Sequence, residues 1–407
     1  MFDELIEEFT DLSRFTESLQ EYISNLSFNS VIVTLMMIFM FVGIVDKVQG
    51  NKRGYGDAFD EGFRAMGPLA ISIVGVIAAA PVLGMLLVPI VGPLYEMLGS
   101  SPAIFATTLF MADAGGYPLA VEMAGSDIAM GQFAGLIVGC TMGCILLFDI
   151  PIALTLIQKE DRPLLACGIL VGVITAPFGC FAGGIVMSLT TDYHMNILSL
   201  LLCLVPVMIV AVLLAAGLWF KPTSLMNGFS KFGTVVTALI AIFVGIAVLQ
   251  YETGIRFPLF HLMVDEGAGG ISPLKNSIEI LGEIAFILIG AFPMVEWIKR
   301  HFGGALTKLG GKIGMDETAS AGIVASFANS IPAFQMMKDM NPKGKLLNVA
   351  FASCAAFAFG DHLGFVAGMN SSMIVPMIIA KLVCGLTALF LANLLAPQLL
   401  SKAEKAG

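Results

Sequence analysis

Charge is what this sequence has least of: only 13% of its 407 residues are Asp, Glu, Lys or Arg, where a soluble domain carries roughly 25%. A chain this long cannot clothe a water-facing surface with so few charges. That excludes a soluble enzyme, a nucleic-acid binder and a disordered scaffold. Histidine is scarce as well, and His194, His261, His301 and His362 stand on different segments. No His-Glu-x-x-His, Gly-x-Ser-x-Gly or paired-aspartate string occurs. Gly310-Gly-Lys312 is followed by Ile313, without the Ser or Thr of a phosphate loop. The first residues lack the basic segment of a secretory signal. The seven cysteines all lie within apolar runs, as thiols packing as small hydrophobes do. Cys140 and Cys144 share a helical face, but no His or carboxylate beside them completes a metal set. Neither metal nor cofactor is expected.

What is present is apolar: 57% of the residues, with a mean hydropathy of +0.90. The fold class is therefore all-α, a polytopic membrane protein whose outer face is solvated by lipid. Runs long enough to cross a bilayer lie at 28–45, 65–97, 131–157, 163–188, 196–220, 233–250, 277–298, 346–368 and 372–396, about nine spans. Two more apolar stretches, 103–123 and 319–337, are interrupted by Asp113-Ala-Gly-Gly-Tyr-Pro118 and Asn329-Ser-Ile-Pro332. They read as broken or re-entrant helices.

The net charge of −9 is unevenly placed, since residues 1–27 carry seven acids and one base, Arg14. Leu5, Ile6, Phe9, Leu12, Phe15, Leu19, Tyr22, Ile23 and Leu26 recur there at helical spacing. An acidic amphipathic helix is expected, docked on the protein or a neighbouring subunit, since anionic lipid would repel it. Seventeen of the 21 basic residues fall in segments 46–64, 158–162, 221–232, 299–318, 338–345 and the tail. Alternating nine spans, with both broken segments returning to their side of origin, puts all of these segments in the cytoplasm. The N-terminus is then outside and the C-terminus inside.

The two halves resemble each other. Asp113 and Asn329 are 216 residues apart, Pro118 and Pro332 are 214, Pro81 and Pro293 are 212, and Phe148-Asp149 matches Phe359-Gly-Asp361. With the loop-charge topology, matched spans run in opposite directions. This is the inverted-repeat architecture of secondary transporters. The organisation expected is an N-terminal helix at 1–27, a first repeat at 28–195, a linking span at 196–232 and an inverted second repeat at 233–400.

Carboxylates at membrane depth are costly unless they work. Asp113 stands where the first half-helix ends, a point at which unpaired carbonyls and the helix dipole favour a cation. Gly115 and Tyr117 share its interrupted stretch, and Pro118 suits the first turn of the next half-helix. At the matching place Asn329 and Ser330 are neutral hydrogen-bonding groups, followed by Pro332. One anionic and one neutral half-site suit a small molecule with an ammonium end and a hydroxyl end. Asp149 and Asp361, with His362 adjacent, form a second matched pair. Lys381, the one deep base, is expected to pair with one of these aspartates or to leave it for substrate or proton. Glu279 and Glu296 sit near span ends and read as interfacial, while Glu283 is deeper and reads either as interfacial or as a structural or charge-pair residue. Phe110, Tyr117, Phe148 and Phe327 could face a bound ammonium.

Several strings together carry a family resemblance: Glu61-Gly-Phe-Arg-Ala-Met-Gly67, Ala80-Pro-Val-Leu83, Tyr95-Glu-Met-Leu-Gly99, Ala112-Asp-Ala-Gly-Gly116, Asn329-Ser-Ile-Pro332 and Phe359-Gly-Asp-His-Leu-Gly-Phe365. Over about residues 28–396 the chain resembles the ethanolamine-utilisation transporter family (EutH-like), inner-membrane permeases of bacteria. The resemblance implies facilitated uptake of ethanolamine across the cytoplasmic membrane for breakdown by a cytoplasmic ammonia-lyase. The partners expected are ethanolamine in its ammonium form and the lipid bilayer, with a homo-oligomer left open and no nucleic acid. An ion-coupled carrier of another small amine, and an intramembrane enzyme, are the alternative classes. The acidic extension departs from the shorter start of the family.

Overall fold

The computed structural model describes residues 12–267 and 270–406. Every regular element among them is helical. In chain order these are α1 (Ser13–Ser24), α2 (Phe28–Val48), α3 (Tyr55–Arg64), α4 (Met66–Met97), α5 (Ala103–Leu109), α6 (Tyr117–Ala124) and α7 (Ile128–Leu156). They continue with α8 (Arg162–Thr190), α9 (Ile197–Phe220), α10 (Pro222–Thr253), α11 (Pro273–Lys312), α12 (Glu317–Ser326) and α13 (Ser330–Met336). The last four are α14 (Pro342–Ala355), α15 (Asp361–Asn370), α16 (Ile374–Leu394) and α17 (Ala396–Ala406). Eight helical runs among the described residues are long and apolar enough to cross a membrane. The protein is a multi-pass membrane protein, and its helices satisfy their backbone groups internally, as a hydrocarbon solvent demands. Ile38, Phe41, Val45, Val212, Leu213, Leu239 and Ile242 point outward as an apolar belt.

Side-chain contacts at the helix ends sort the loops onto two faces. Gly99, Ser101, Asp127, His194 and Asn196 line one cavity, so α4, the α5–α6 pair and α8 all end on a first face. On a second face, at the other end of α8, Lys345 Nζ binds both carboxylate oxygens of Asp161 at 2.6 and 2.8 Å. Asn341 Nδ2 there donates to the Gly314 carbonyl at 3.0 Å. The α5–α6 pair therefore enters and leaves at the first face, and the α12–α13 pair enters and leaves at the second. Both interrupted stretches are re-entrant hairpins.

The expected span at 346–368 is not one helix. It unwinds over residues 356–360, where Phe357 has φ +66°, so α14 and α15 cross as a broken pair. Asn370 at its far end donates to Gln132 Oε1 and to the Tyr193 hydroxyl on the first face. The break has a tertiary cause. The Phe357 and Phe359 N–H groups donate to the Ser326 and Phe327 carbonyls at 3.0 Å, so the unwound segment pairs with the tip of the α12–α13 hairpin rather than with its own helix.

The core is built on small residues. Gly135, Gly139 and Gly143, four apart on α7, lie against Tyr117, Ala112 and the Phe110 carbonyl, and this groove receives the first hairpin. The seven cysteines are free and buried. Of the amphipathic segment at 1–27, residues 1–11 lie outside the described residues. In the remainder, α1 buries no side chain, and the Tyr22 hydroxyl hydrogen-bonds that of Thr34.

Candidate functional site

The first hairpin turns where Phe110 and Met111 adopt extended backbone, with ψ of 137° and 147°. A helix interrupted at this point presents Asp113 to the interior of the protein. The second hairpin turns at Asn329, whose extended backbone makes it the N-cap of α13; its Oδ1 accepts the Ile331 N–H at 2.9 Å. Between the two tips and the unwound 356–360 segment lies a cavity of about 500 Å³. Asp113, Asn329, Asp361 and His362 supply its polar wall, and Met111, Phe148, Phe292 and Phe357 its apolar one. Phe148 and Phe357 meet edge to face at 5.3 Å. Glu61 and Arg64 line the same cavity; they stand on α3, at the second-face end of α2, so the cavity points to that face.

The polar groups are connected across the halves of the chain. Asn329 Nδ2 donates to Asp361 Oδ2 at 3.2 Å. Ser330 Oγ donates to Asp149 Oδ1 at 2.9 Å, and the Cys144 thiol lies 3.6 Å from the other oxygen. His362 Nε2 lies 3.8 Å from Asp113 Oδ1. These last two groups are almost wholly buried, at 1% and 3% exposure, yet Asp113 Oδ1 and both ring nitrogens of His362 have no hydrogen-bond partner among the described residues. Leaving such buried groups unpaired costs about 1–3 kcal/mol each. A ligand with donors and an acceptor would recover that cost, and the apolar wall is wide enough for a few carbon atoms.

Not every residue singled out from sequence meets here. Asp113, Asn329, Asp361 and His362 do. Ser330 and Asp149 sit behind the wall, bonded to each other. Gly115 has φ +96°, and a Cβ on it would lie 2.2 Å from Val76; it serves the packing of the hairpin on α4. Tyr117 and Pro118 line a different cavity of about 530 Å³ with Glu122 and Asn276, toward the first face. Pro118 does occupy the first turn of α6, and Pro332 lies in the first turn of α13. Phe110 packs on Phe232, and Phe327 on Phe351 and Phe359, so neither ring faces the cavity.

Two charge assignments need correction. Lys381 makes no ion pair with a described carboxylate: its Nζ donates to the carbonyls of Ala356 at 2.7 Å and Cys354 at 3.3 Å. Glu283 is exposed on α11 and forms no salt bridge among the described residues, whereas Glu296 on the same helix holds Lys299 and Arg300. Sequence reasoning missed Glu61, Arg64 and Phe357 as site residues. For the first two the signal was present, a carboxylate and a guanidinium in the turns leading into a span.

Comparison with known proteins places the chain in a family. Residues 28–395 match the family described as "Ethanolamine utilisation protein, EutH". A Listeria monocytogenes protein named "Probable ethanolamine permease EutH" is 46% identical, with 93% of this chain and 96% of that protein covered. The Escherichia coli protein of the same name is 41% identical, covering 91% and 96%. A Bacillus subtilis relative, "Uncharacterized protein YxeR", is also 41% identical, covering 93% and 97%. No solved structure matches. With nearly its whole length matched, the chain belongs to the EutH family.

Proposed function

We propose that the chain carries ethanolamine, as the ammonium ion, into the cell by facilitated diffusion through the cavity between the two hairpin tips. The observation that carries this reading is the unpartnered pair at its centre, Asp113 Oδ1 and His362, 3.8 Å apart and buried. Ethanolamine offers three ammonium donors and, two carbons away, a hydroxyl. In this reading Asp113 takes the ammonium, and Asn329 and His362 orient the hydroxyl, since Ser330 is already engaged by Asp149. Asp361 adds negative potential beside Asn329, and the apolar rings shield the bound cation from water.

The second face is the cytoplasmic one in this proposal, because most basic residues lie in its loops. The N-terminus is then outside. Two hairpins entering from opposite faces, each followed by a span bearing an aspartate, Asp149 on α7 and Asp361 at the start of α15, support an inverted-repeat plan of 28–195 and 233–400 around the linking span at 196–232. A negative interior favours inward movement of one positive charge by about 2.3 kcal/mol per 100 mV. The test is uptake of labelled ethanolamine into proteoliposomes at mildly acidic pH. Uptake should rise when an interior-negative potential is imposed; uptake that is absent, or indifferent to potential, overturns the proposal.

A further inference from the structure

Lys381 poses a problem of charge. It is 1% exposed in the middle of α16, with no carboxylate in salt-bridge reach among the described residues, and a buried ammonium is costly unless dipoles replace water around it. Its only described hydrogen-bond partners are the Cys354 and Ala356 carbonyls. These belong to the C-terminal end of α14, where the chain unwinds. Carbonyls at such an end have lost their i+4 donors and carry the negative pole of the helix dipole. Around the break the Ala352 and Ala355 carbonyls accept from Ala356 and Ala358, and the Phe357 and Phe359 N–H groups are bound by the second hairpin. Of the carbonyls that the break frees, those of Cys354 and Ala356 bind the ammonium.

In secondary transporters, unwound carbonyls at half-helix C-termini are where a free monovalent cation is coordinated. Here a side chain from another helix arrives instead. We propose that the Lys381 ammonium is a tethered cation filling a carbonyl site at the α14–α15 break, so that the protein holds this break together, and moves its substrate, without sodium. The tether also explains why a lysine is tolerated next to a cavity that must attract another ammonium. Its ammonium is bound by the Cys354 and Ala356 carbonyls and stands behind the cavity wall, which does not include Lys381.

The part of this that concerns sodium-free transport rests on the carrier reading above; the part that concerns the occupied site does not. The experiment therefore has two readouts on the purified full chain. Thermal unfolding in detergent is compared in sodium and caesium chloride at constant ionic strength, for wild type, Lys381→Ala and Lys381→Arg. Wild type and Lys381→Arg should unfold at the same temperature in both salts. Lys381→Ala should be less stable in caesium and be raised by several degrees in sodium, because removing the ammonium opens the carbonyls to a small cation. In proteoliposomes, wild-type ethanolamine uptake should be unchanged on replacing sodium by caesium, while that of Lys381→Ala should fall at least tenfold without sodium. Sodium stabilisation of the wild type, or a folded Lys381→Ala indifferent to sodium, overturns the proposal. Should Lys381→Ala not fold, the wild-type comparison decides alone: indifference upholds it and sodium dependence overturns it. Failure of ethanolamine uptake in every variant would count against the carrier reading and leave the unfolding result to judge the occupied site.

Discussion

The imidazole of His362 faces the carboxylate of Asp113 across 3.8 Å in the lining of one cavity, and neither Asp113 Oδ1 nor a ring nitrogen of His362 has a hydrogen-bond partner among the described residues. The gap is too long for a direct hydrogen bond. A donor placed between the two can satisfy both, which gives the site a definite response to mutation.

Asp113→Asn removes the anion and leaves the volume. A hydrogen bond to a charged group is worth about 1.5–3 kcal/mol, so the KM for ethanolamine uptake should rise by about 10- to 100-fold, with little change in the unfolding temperature. Substrate binding followed by thermal shift gives the same answer without vesicles. An Asn variant with unaltered KM would remove Asp113 from the ammonium role.

Ser330→Ala should behave in the opposite way. It strands Asp149 Oδ1 at a position with no exposure, and an unsatisfied buried acceptor costs about 1–3 kcal/mol. The loss is expected in stability first. Adding Asp149→Asn should restore part of it, since a neutral amide is less costly to bury than an anion. A double variant no more stable than Ser330→Ala would show that the pair contributes nothing.

Gly360→Ala tests the break between α14 and α15. A Cβ there would lie 2.0 Å from the Ala328 carbonyl oxygen, a backbone atom that cannot swing aside. Overpacking of this kind costs about 3 kcal/mol or more, so the variant should express poorly or unfold many degrees early. Wild-type stability would mean that the unwound segment and the hairpin tip can part freely.

Single cysteines report on the two faces. The native thiols are buried, which keeps their background reaction with an impermeant maleimide low. Ser126→Cys and Lys312→Cys replace exposed residues beyond α6 and at the end of α11. In oriented cells the first should label from outside and the second only after permeabilisation. Labelling of both from one side would sink the assigned orientation.

Much of the path of the chain was legible in the sequence, because apolar length and the proline and polar interruptions at Asp113–Pro118 and Asn329–Pro332 are local signals. The break at 356–360 was not. Its residues, Ala-Phe-Ala-Phe-Gly, hold no proline and no charge, and what unwinds them is hydrogen bonding to Ser326 and Phe327, about 30 residues away in sequence. Lys381 was misread for a related reason: composition displays carboxylates as partners for an ammonium, while backbone carbonyls freed by a distant break are invisible. The sequence also grouped Tyr117 with Asp113, but Tyr117 opens α6 four residues further on and lines the cavity toward the first face.

The two backbone hydrogen bonds from Phe357 and Phe359 to the second hairpin, together with the bond from Asn329 to Asp361, make one mechanical body of the hairpin tip and the start of α15. Asn329, Asp361 and His362 must travel as a unit. Asp113 is on the other hairpin, joined to that body within the site by no hydrogen bond. The site is therefore divided along a seam between Asp113 and His362, backed by the Ser330–Asp149 bond behind the wall, and a bound ammonium alcohol touching both would act as its clasp.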